Sequence, residues 1–349
     1  MKAIRVHQYD VNPSLDEVER PSVAAPHDVI VRVEGAGVCR TDLHIIEGQW
    51  QNKSEVALPY TIGHENAGTV VEVGSAVSNV EVGDKVILHP LATCGLCAAC
   101  RRGDDVHCTC SEFPGIDVDG GMAEYLRTSA RSVVKLDPSL EPADVAALAD
   151  AGLTAYHAAR KAAATLGPGS TAVIIGAGGL GHIGVQVMKA LSPARLIVVD
   201  RSEAALDLAR EIGADVTVVA DGTEAARVLE LTDGDGAEAV LDFVGEGGAV
   251  EAGIAMLKRA GDFYVIGYGG ELRVPTIDVI STEINFIGNL VGTYTDLVEL
   301  MALAAQGRVH LHTVQYHFSD FQKALDDLHH GRVRGRAVLV PDETVIAPV

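Results

Sequence analysis

Two kinds of hydrophobic spacing divide this chain. Up to about residue 145, apolar residues come in short runs, as at 29–33, 68–73, 85–88 and 131–136, broken by Gly, Pro and Asp. Runs of that length between turn residues predict short strands, and their irregular order predicts a small barrel or sandwich. Beyond Pro142 the pattern lengthens. Residues 143–164 are alanine-rich and read as helix, and a GPG turn at 167–169 ends it. Apolar strand candidates follow at 171–175, 196–199, 216–219, 239–243, 263–266 and 284–287, with amphipathic helix candidates at 182–191, 203–212 and 223–231. Buried strands alternating with helices predict a doubly wound parallel sheet of six strands. A helix is expected from about 291 to 306, then a basic GRVRGR turn and a strand at 337–341. The tail is expected to return to the first domain, which makes that domain discontinuous.

Composition adds scale and exclusions. A chain of 349 residues with 48% hydrophobic content suits about two domains of ~150 residues. The formal charge of −21 would repel nucleic acid or an anionic membrane surface at long range, so neither is an expected partner. Most of this acidity reads as a solubility device, and any anionic ligand must be held by local groups. The start carries Lys2, Arg5 and Asp10 with no apolar stretch of signal-peptide length, and no run of 18 apolar residues occurs. With six cysteines, this pattern leads us to expect a reducing, cytoplasmic location.

The strand at 171–175 runs into GAGGLG, with Gly176, Gly178 and Gly181 at fingerprint positions, and Asp200 ends the next strand. In that context the first glycine allows a tight turn, the second admits a pyrophosphate, and the third lets helix and strand pack closely. The helix N-terminus then faces an anion. Asp200 can accept hydrogen bonds from both adenosine ribose hydroxyls and would repel a 2′-phosphate. Arg201 beside it is the residue that could favour NADP instead. The carboxylate outweighs it, and NAD is the expected coenzyme.

Cys94, Cys97, Cys100 and Cys108 form C-x2-C-x2-C-x7-C, a spacing that lets four thiolates wrap one ion. Disulfides and an iron–sulfur cluster are the rival readings. Zinc is expected, and four protein ligands with no open position would make it structural. Cys110 is a spare thiol, expected to be a bystander, with replacement of Cys108 as the alternative. Further chemistry-bearing residues stand in GVCRTDLH (Cys39, Arg40, Thr41, Asp42, His44), in GHENAG (His64, Glu65) and in ADAGLTAYHA (Asp150). Singly, each has an ordinary structural explanation.

Together, in this order and approximate spacing, these motifs resemble the zinc-containing alcohol dehydrogenases of the medium-chain dehydrogenase/reductase superfamily, over essentially the whole chain. The resemblance implies a GroES-like catalytic domain at 1–147 with a zinc lobe at 91–111, an NAD-binding Rossmann domain at 148–290, and a segment at 291–349 that returns to the catalytic domain. It implies two zinc ions. Cys39 and His64 match catalytic ligands, and Asp150 stands where the third is usually a cysteine; adjacent Glu65 coordinates in some members. Asp42 matches the carboxylate that orients His64. Arg40 and Arg336 match pyrophosphate contacts, and Gly179, Leu180, Val244, Ile266 and Leu290 join the coenzyme contacts. A catalytic zinc with an open position would lower the pKa of a bound alcohol, and the zinc-bound alkoxide would pass hydride to NAD. Thr41 and His44 would relay the proton outward. Trp50, Phe113 and Leu290 either line the substrate pocket or simply pack in the core.

The expected activity is oxidation of apolar primary or secondary alcohols. A polyol or sugar dehydrogenase, a zinc-free reductase of the same fold and a catalytically silent zinc-and-nucleotide sensor are the competing readings. By analogy a homo-oligomer is expected, a tetramer ahead of a dimer.

Overall fold

The computed structural model describes residues 1–51, 53–54 and 56–342. In chain order its strands are β1 (Lys2–Val6), β2 (Ser14–Glu17), β3 (Asp28–Val38), β4 (Tyr60–Thr61), β5 (Glu65–Val73), β6 (Lys85–Leu88), β7 (Tyr125–Ser129) and β8 (Val133–Lys135). There follow β9 (Thr171–Ile175), β10 (Arg195–Asp200), β11 (Val216–Val219), β12 (Ala237–Asp242), β13 (Leu257–Val265), β14 (Asn285–Gly288), β15 (Thr313–His317) and β16 (Arg336–Val340). No helix among the described residues is long and apolar enough to cross a membrane.

The chain forms two compact units, the first comprising Met1–Ala151, Thr293–Ala305 and the chain from Leu311 on, the second Gly152–Gly292 and Gln306–His310. In the first unit, a mixed sheet runs β15-β16-β3-β5-β6-β8, with β7 also paired to β3. A smaller antiparallel sheet runs β2-β1-β4. The long strand β3 has ten of its residues shared between β5, β7 and β16, and its pairing with β5 shifts register twice. Such irregularities bend a strand so that one sheet can curl around a core. That core holds Ile4, Val31, Val70, Leu88, Leu126, Phe318 and Leu339.

The second unit is a six-stranded sheet in the order β11-β10-β9-β12-β13-β14, parallel throughout. All five residues of β9 are buried, as a strand covered by helices on both faces requires. The order reverses beside β9, and in such sheets ligands bind at the carboxyl ends of the strands at that reversal.

Several elements differ from the hydrophobic pattern. The expected helix over 143–164 is three pieces, Pro142–Val145, a 3-10 turn Ala146–Leu148 and the helix Ala151–Ala163. The interruption leaves Asp150 just before the long helix. The strand expected at 263–266 extends back to Leu257, and the expected helix from 291 begins at Tyr294, since Val291 has a φ of +45° that no right-handed helix accepts. The strand at 131–136 shrinks to Val133–Lys135 behind a 3-10 turn, Ala130–Ser132.

Candidate metal centres and coenzyme loop

Three neighbouring strands assemble the first site, within the first unit. β3 ends at Val38, so Cys39 caps the helix Arg40–Ile46. Gly37 lies opposite Glu65 at the start of β5, and Val38 lies opposite Ala337, next to Arg336. Gly37 must be glycine, because a Cβ there would overlap the Glu65 carboxylate. Asp150 arrives from the break before the helix Ala151–Ala163. The potential ligand atoms of Cys39, His64, Glu65 and Asp150 all lie within 4.8 Å of one another.

Hydrogen bonding separates the roles of these groups. Asp42 Oδ2 accepts the Cys39 backbone N–H at 2.8 Å, and its other oxygen is 3.4 Å from His64 Nδ1. The far side of the imidazole, Nε2, is 3.5 Å from Asp150 Oδ2. His64 Nε2 and Asp150 Oδ1 are buried without a hydrogen-bond partner among the described residues. Buried polar atoms are rarely left so, and a cation among them would satisfy both. Glu65 is engaged otherwise: Oε1 accepts the Ala151 N–H at 3.0 Å and Oε2 accepts from Arg336.

Charge follows this arrangement. Burial disfavours the His64 imidazolium, but Asp42 and Cys39 outweigh it and hold its pKa well above the ordinary range. Burial raises the carboxyls of Glu65 and Asp150 against the opposing pull of Arg336 and His64. A thiol, an imidazole and a carboxylate around one buried point are a donor set suited to Zn²⁺. The residues fit a metal.

The second cluster, also in the first unit, holds the sulfurs of Cys94, Cys97, Cys100 and Cys108 within 4.8 Å of one another. A tetrahedron with ~2.3 Å Zn–S bonds puts sulfurs about 3.8 Å apart, whereas a multi-iron cluster spreads its ligands wider. All six cysteines are free of disulfides. Backbone N–H groups of Leu96 and Cys97 point at Cys94 Sγ, both at 3.4 Å, and Cys94 N–H points at Cys108 Sγ at 3.3 Å. Donors to sulfur stabilise thiolate. Backbone donors from Cys100 and Thr109 bring the Cys97 thiol down to about 6, while burial and the adjoining thiols push Cys100 up to about 12. Thiols this close resist full ionisation unless a cation sits among them. Cys110 is exposed; its N–H points to Cys108 Sγ at 3.5 Å.

In the second unit, Gly176 turns with φ +87°, and a Cβ on Gly181 would overlap the Gly176 carbonyl oxygen. Gly178 differs: a Cβ there would meet nothing within 4 Å, leaving open space over the loop for a bulky anion. Asp200, at the end of β10, accepts the Ala177 N–H at 2.7 Å and the Ser202 N–H at 2.8 Å, tying the loop to the neighbouring strand. Its oxygens keep lone pairs for ribose hydroxyls. Arg201 is exposed. Val244 faces the Gly176 turn, Ile266 is buried and Leu290 is exposed. An open, glycine-floored cradle beside an acidic strand end fits a dinucleotide.

Comparison with known proteins agrees with this geometry. Residues 25–138 match the family model described as alcohol dehydrogenase GroES-like domain, and residues 179–306 match that described as zinc-binding dehydrogenase. The NAD-dependent alcohol dehydrogenase of Sulfolobus acidocaldarius is 38% identical, covering 97% of this chain and 99% of that protein. An alcohol dehydrogenase of Geobacillus stearothermophilus is 34% identical over 98% of the chain and 100% of its own length. The crystal structure of an alcohol dehydrogenase from Aeropyrum pernix matches with a TM-score of 0.95 and 47% identity, covering 98% of this chain and 100% of that one. The chain belongs to the zinc-containing alcohol dehydrogenases of the medium-chain dehydrogenase/reductase superfamily.

In this dehydrogenase the remaining sequence-derived residues fall as follows. Thr41 and His44 are half-buried and Arg40 exposed on the helix Arg40–Ile46. Trp50 and Phe113 pack against the core of the first unit, and the Phe113 ring meets His64 edge-on with centroids 5.9 Å apart. Arg336, which the resemblance put at the pyrophosphate, is instead 3% exposed and the partner of Glu65, a pairing between residues 271 positions apart that no local motif signals. Its one trace in the sequence is an arginine opening an otherwise apolar strand. His89, which no motif in the sequence singles out, is 2% exposed, with its Nδ1 3.1 Å from the Leu91 carbonyl oxygen.

Proposed function

We propose that this dehydrogenase oxidises apolar primary or secondary alcohols to aldehydes or ketones with NAD, through a zinc ion held by Cys39, His64 and Asp150. A second zinc at Cys94, Cys97, Cys100 and Cys108 fastens the lobe around it. The observation that carries this reading is the convergence of Cys39, His64 and Asp150 donors within 4.8 Å, with His64 Nε2 buried and unmet. Bound zinc supplies a Lewis acid that makes the alcohol hydroxyl acidic, and NAD takes the hydride.

The protein's own groups do the rest. Cys39 and Asp150 together bring two negative charges, which match a divalent cation. Asp42 orients the His64 ring so that Nε2 faces the ligand point, as a carboxylate behind a metal-binding histidine does. Arg336 and the Ala151 N–H engage both oxygens of Glu65, so that Cys39, His64 and Asp150 would be the groups to hold zinc. Thr41 takes the hydroxyl proton and passes it on, since a hydroxyl both donates and accepts. His44, one turn further along the same helix, releases it to water. Asp200 recognises the adenosine ribose and excludes a 2′-phosphate. Phe113, against His64, supports an apolar pocket wall, with Trp50 as a further member. The six free cysteines suit a reducing cytoplasm, and the assembly we infer is a homotetramer ahead of a dimer.

The test is NADH production across ethanol, longer primary alcohols, 2-alkanols, benzyl alcohols and sorbitol, with NADP in parallel and zinc content measured. Chelator-sensitive turnover of the apolar alcohols with about two zinc ions per chain is the expected result. Preference for sorbitol would favour a polyol dehydrogenase, and zinc-loaded protein inert to every alcohol would favour the silent sensor.

A further inference from the structure

The glycine loop is held from below by a residue that the fingerprint does not include. His182, the second residue of the helix Gly181–Leu191, is fully buried. Its ring Nδ1 lies 2.8 Å from the carbonyl oxygen of Gly178, and its backbone N–H reaches the same oxygen at 3.1 Å. A carbonyl oxygen only accepts, so Nδ1 carries the proton in this contact. The Gly178 carbonyl is therefore gripped twice by one residue.

That grip has a stereochemical consequence. The Gly178–Gly179 peptide is trans and planar, so its N–H points opposite to its C=O. Drawing the Gly178 carbonyl down into the helix turns the Gly179 N–H outward. Gly178, Gly179, Leu180 and Gly181 donate no backbone hydrogen bond to any described residue, as the first turn of a helix leaves its donors free for an anion. The space above Gly178 is open. One turn along the helix, Gln186 donates to the His182 carbonyl at 3.1 Å and to the His310 carbonyl at 2.9 Å, and its Oε1 accepts the His310 N–H at 2.9 Å. The backbone at His182 is thus anchored by a buried amide that itself has fixed partners.

We propose that His182 is a positioning residue for the coenzyme pyrophosphate: its Nδ1–H locks the Gly178 carbonyl inward and so presents the Gly179 N–H to the phosphate oxygens. Without the ring donor, the Gly178–Gly179 peptide can rotate and spend its N–H elsewhere. The role rests on the NAD reading of the loop, and the test separates the two.

Binding of ADP-ribose and of adenosine is titrated on the zinc-loaded full chain for the native protein, His182→Leu and His182→Asn, with thermal unfolding run alongside. Leucine keeps the bulk and deletes the donor, whereas the asparagine Nδ2 sits where the histidine Nδ1 does. His182→Leu is expected to weaken ADP-ribose by about tenfold, as for one misdirected charge-assisted hydrogen bond, and to leave adenosine within about twofold. His182→Asn is expected to restore most of the ADP-ribose affinity. Native-like ADP-ribose binding by folded His182→Leu overturns the positioning role alone, as does equal weakening of both ligands or an asparagine variant no better than leucine. A native protein that binds neither ADP-ribose nor NAD overturns the coenzyme reading itself. Should the leucine variant not fold, the asparagine variant decides: loss of ADP-ribose affinity at native adenosine affinity rejects the donor argument.

Discussion

Replacing Arg336 with Met should destabilise the first unit by about 3–5 kcal/mol, the cost of leaving a buried charge without its partner. Glu65 is 0% and Arg336 3% exposed, so water cannot take over the lost contact. The carboxylate would keep only the Ala151 N–H at 3.0 Å. Glu65→Gln alone should cost a similar amount, since it strands the guanidinium. The double replacement removes both charges, so its cost should fall short of the sum by about 2 kcal/mol or more, within the range measured for residues in one network. Trp50 is the chain's single tryptophan and packs on the core of the first unit. Its fluorescence in urea therefore follows that unit's unfolding and gives the four free energies of the cycle. Additive single replacements, with a coupling under about 0.5 kcal/mol, would refute the claim that Arg336 holds Glu65.

Three further outcomes follow from the geometry. Gly181→Ala should abolish NAD binding and cost about 3 kcal/mol by overpacking, because its Cβ overlaps the Gly176 carbonyl oxygen; calorimetric titration and melting would show it, and a native Kd would contradict it. Cys97→Ser should lower the zinc content from about two ions per chain to about one and lower the melting temperature, while Cys110→Ser should change neither. Burial raises the Asp242 carboxyl above its ordinary range, against hydrogen bonds from Gly245 and Val244. A raised folded pKa gives stability that is present below the unfolded value and lost as pH rises through the folded one. Asp242→Asn keeps an acceptor for those two N–H groups, at 2.8 and 3.0 Å. It should therefore match or exceed the native protein in stability at pH 8 and show a flatter pH dependence; greater loss at pH 8 than at pH 5 would reverse the sign.

Local pattern carried much of this protein. Runs such as 171–175 bury every side chain because the sheet is covered on both faces, and that demand writes itself into the sequence as unbroken apolar residues. The glycines of GAGGLG are legible for a related reason: the tight turn and the close approach each exclude a Cβ, so only one residue type serves. Four cysteines within fifteen positions are close enough to announce a metal before any fold is known. Element ends were less legible. The break between Leu148 and Ala151 lies in an alanine-rich stretch whose only weak helix formers near it are Asp150 and Gly152, and what the break achieves, Asp150 Oδ2 set 3.5 Å from His64 Nε2, is visible only in the fold.

What the sequence by itself determined is therefore the parallel-sheet unit, its glycine loop, the four-cysteine lobe and the residue types available for a second metal. What only the tertiary structure decided is which of those residues meet. Antiparallel pairing of β16 with β3 carries Arg336 across some 271 positions to Glu65, and the β3–β5 register sets Gly37 against that same carboxylate. Such meetings depend on which strand edges pair and in what register, a choice made by the whole core and written in no single segment.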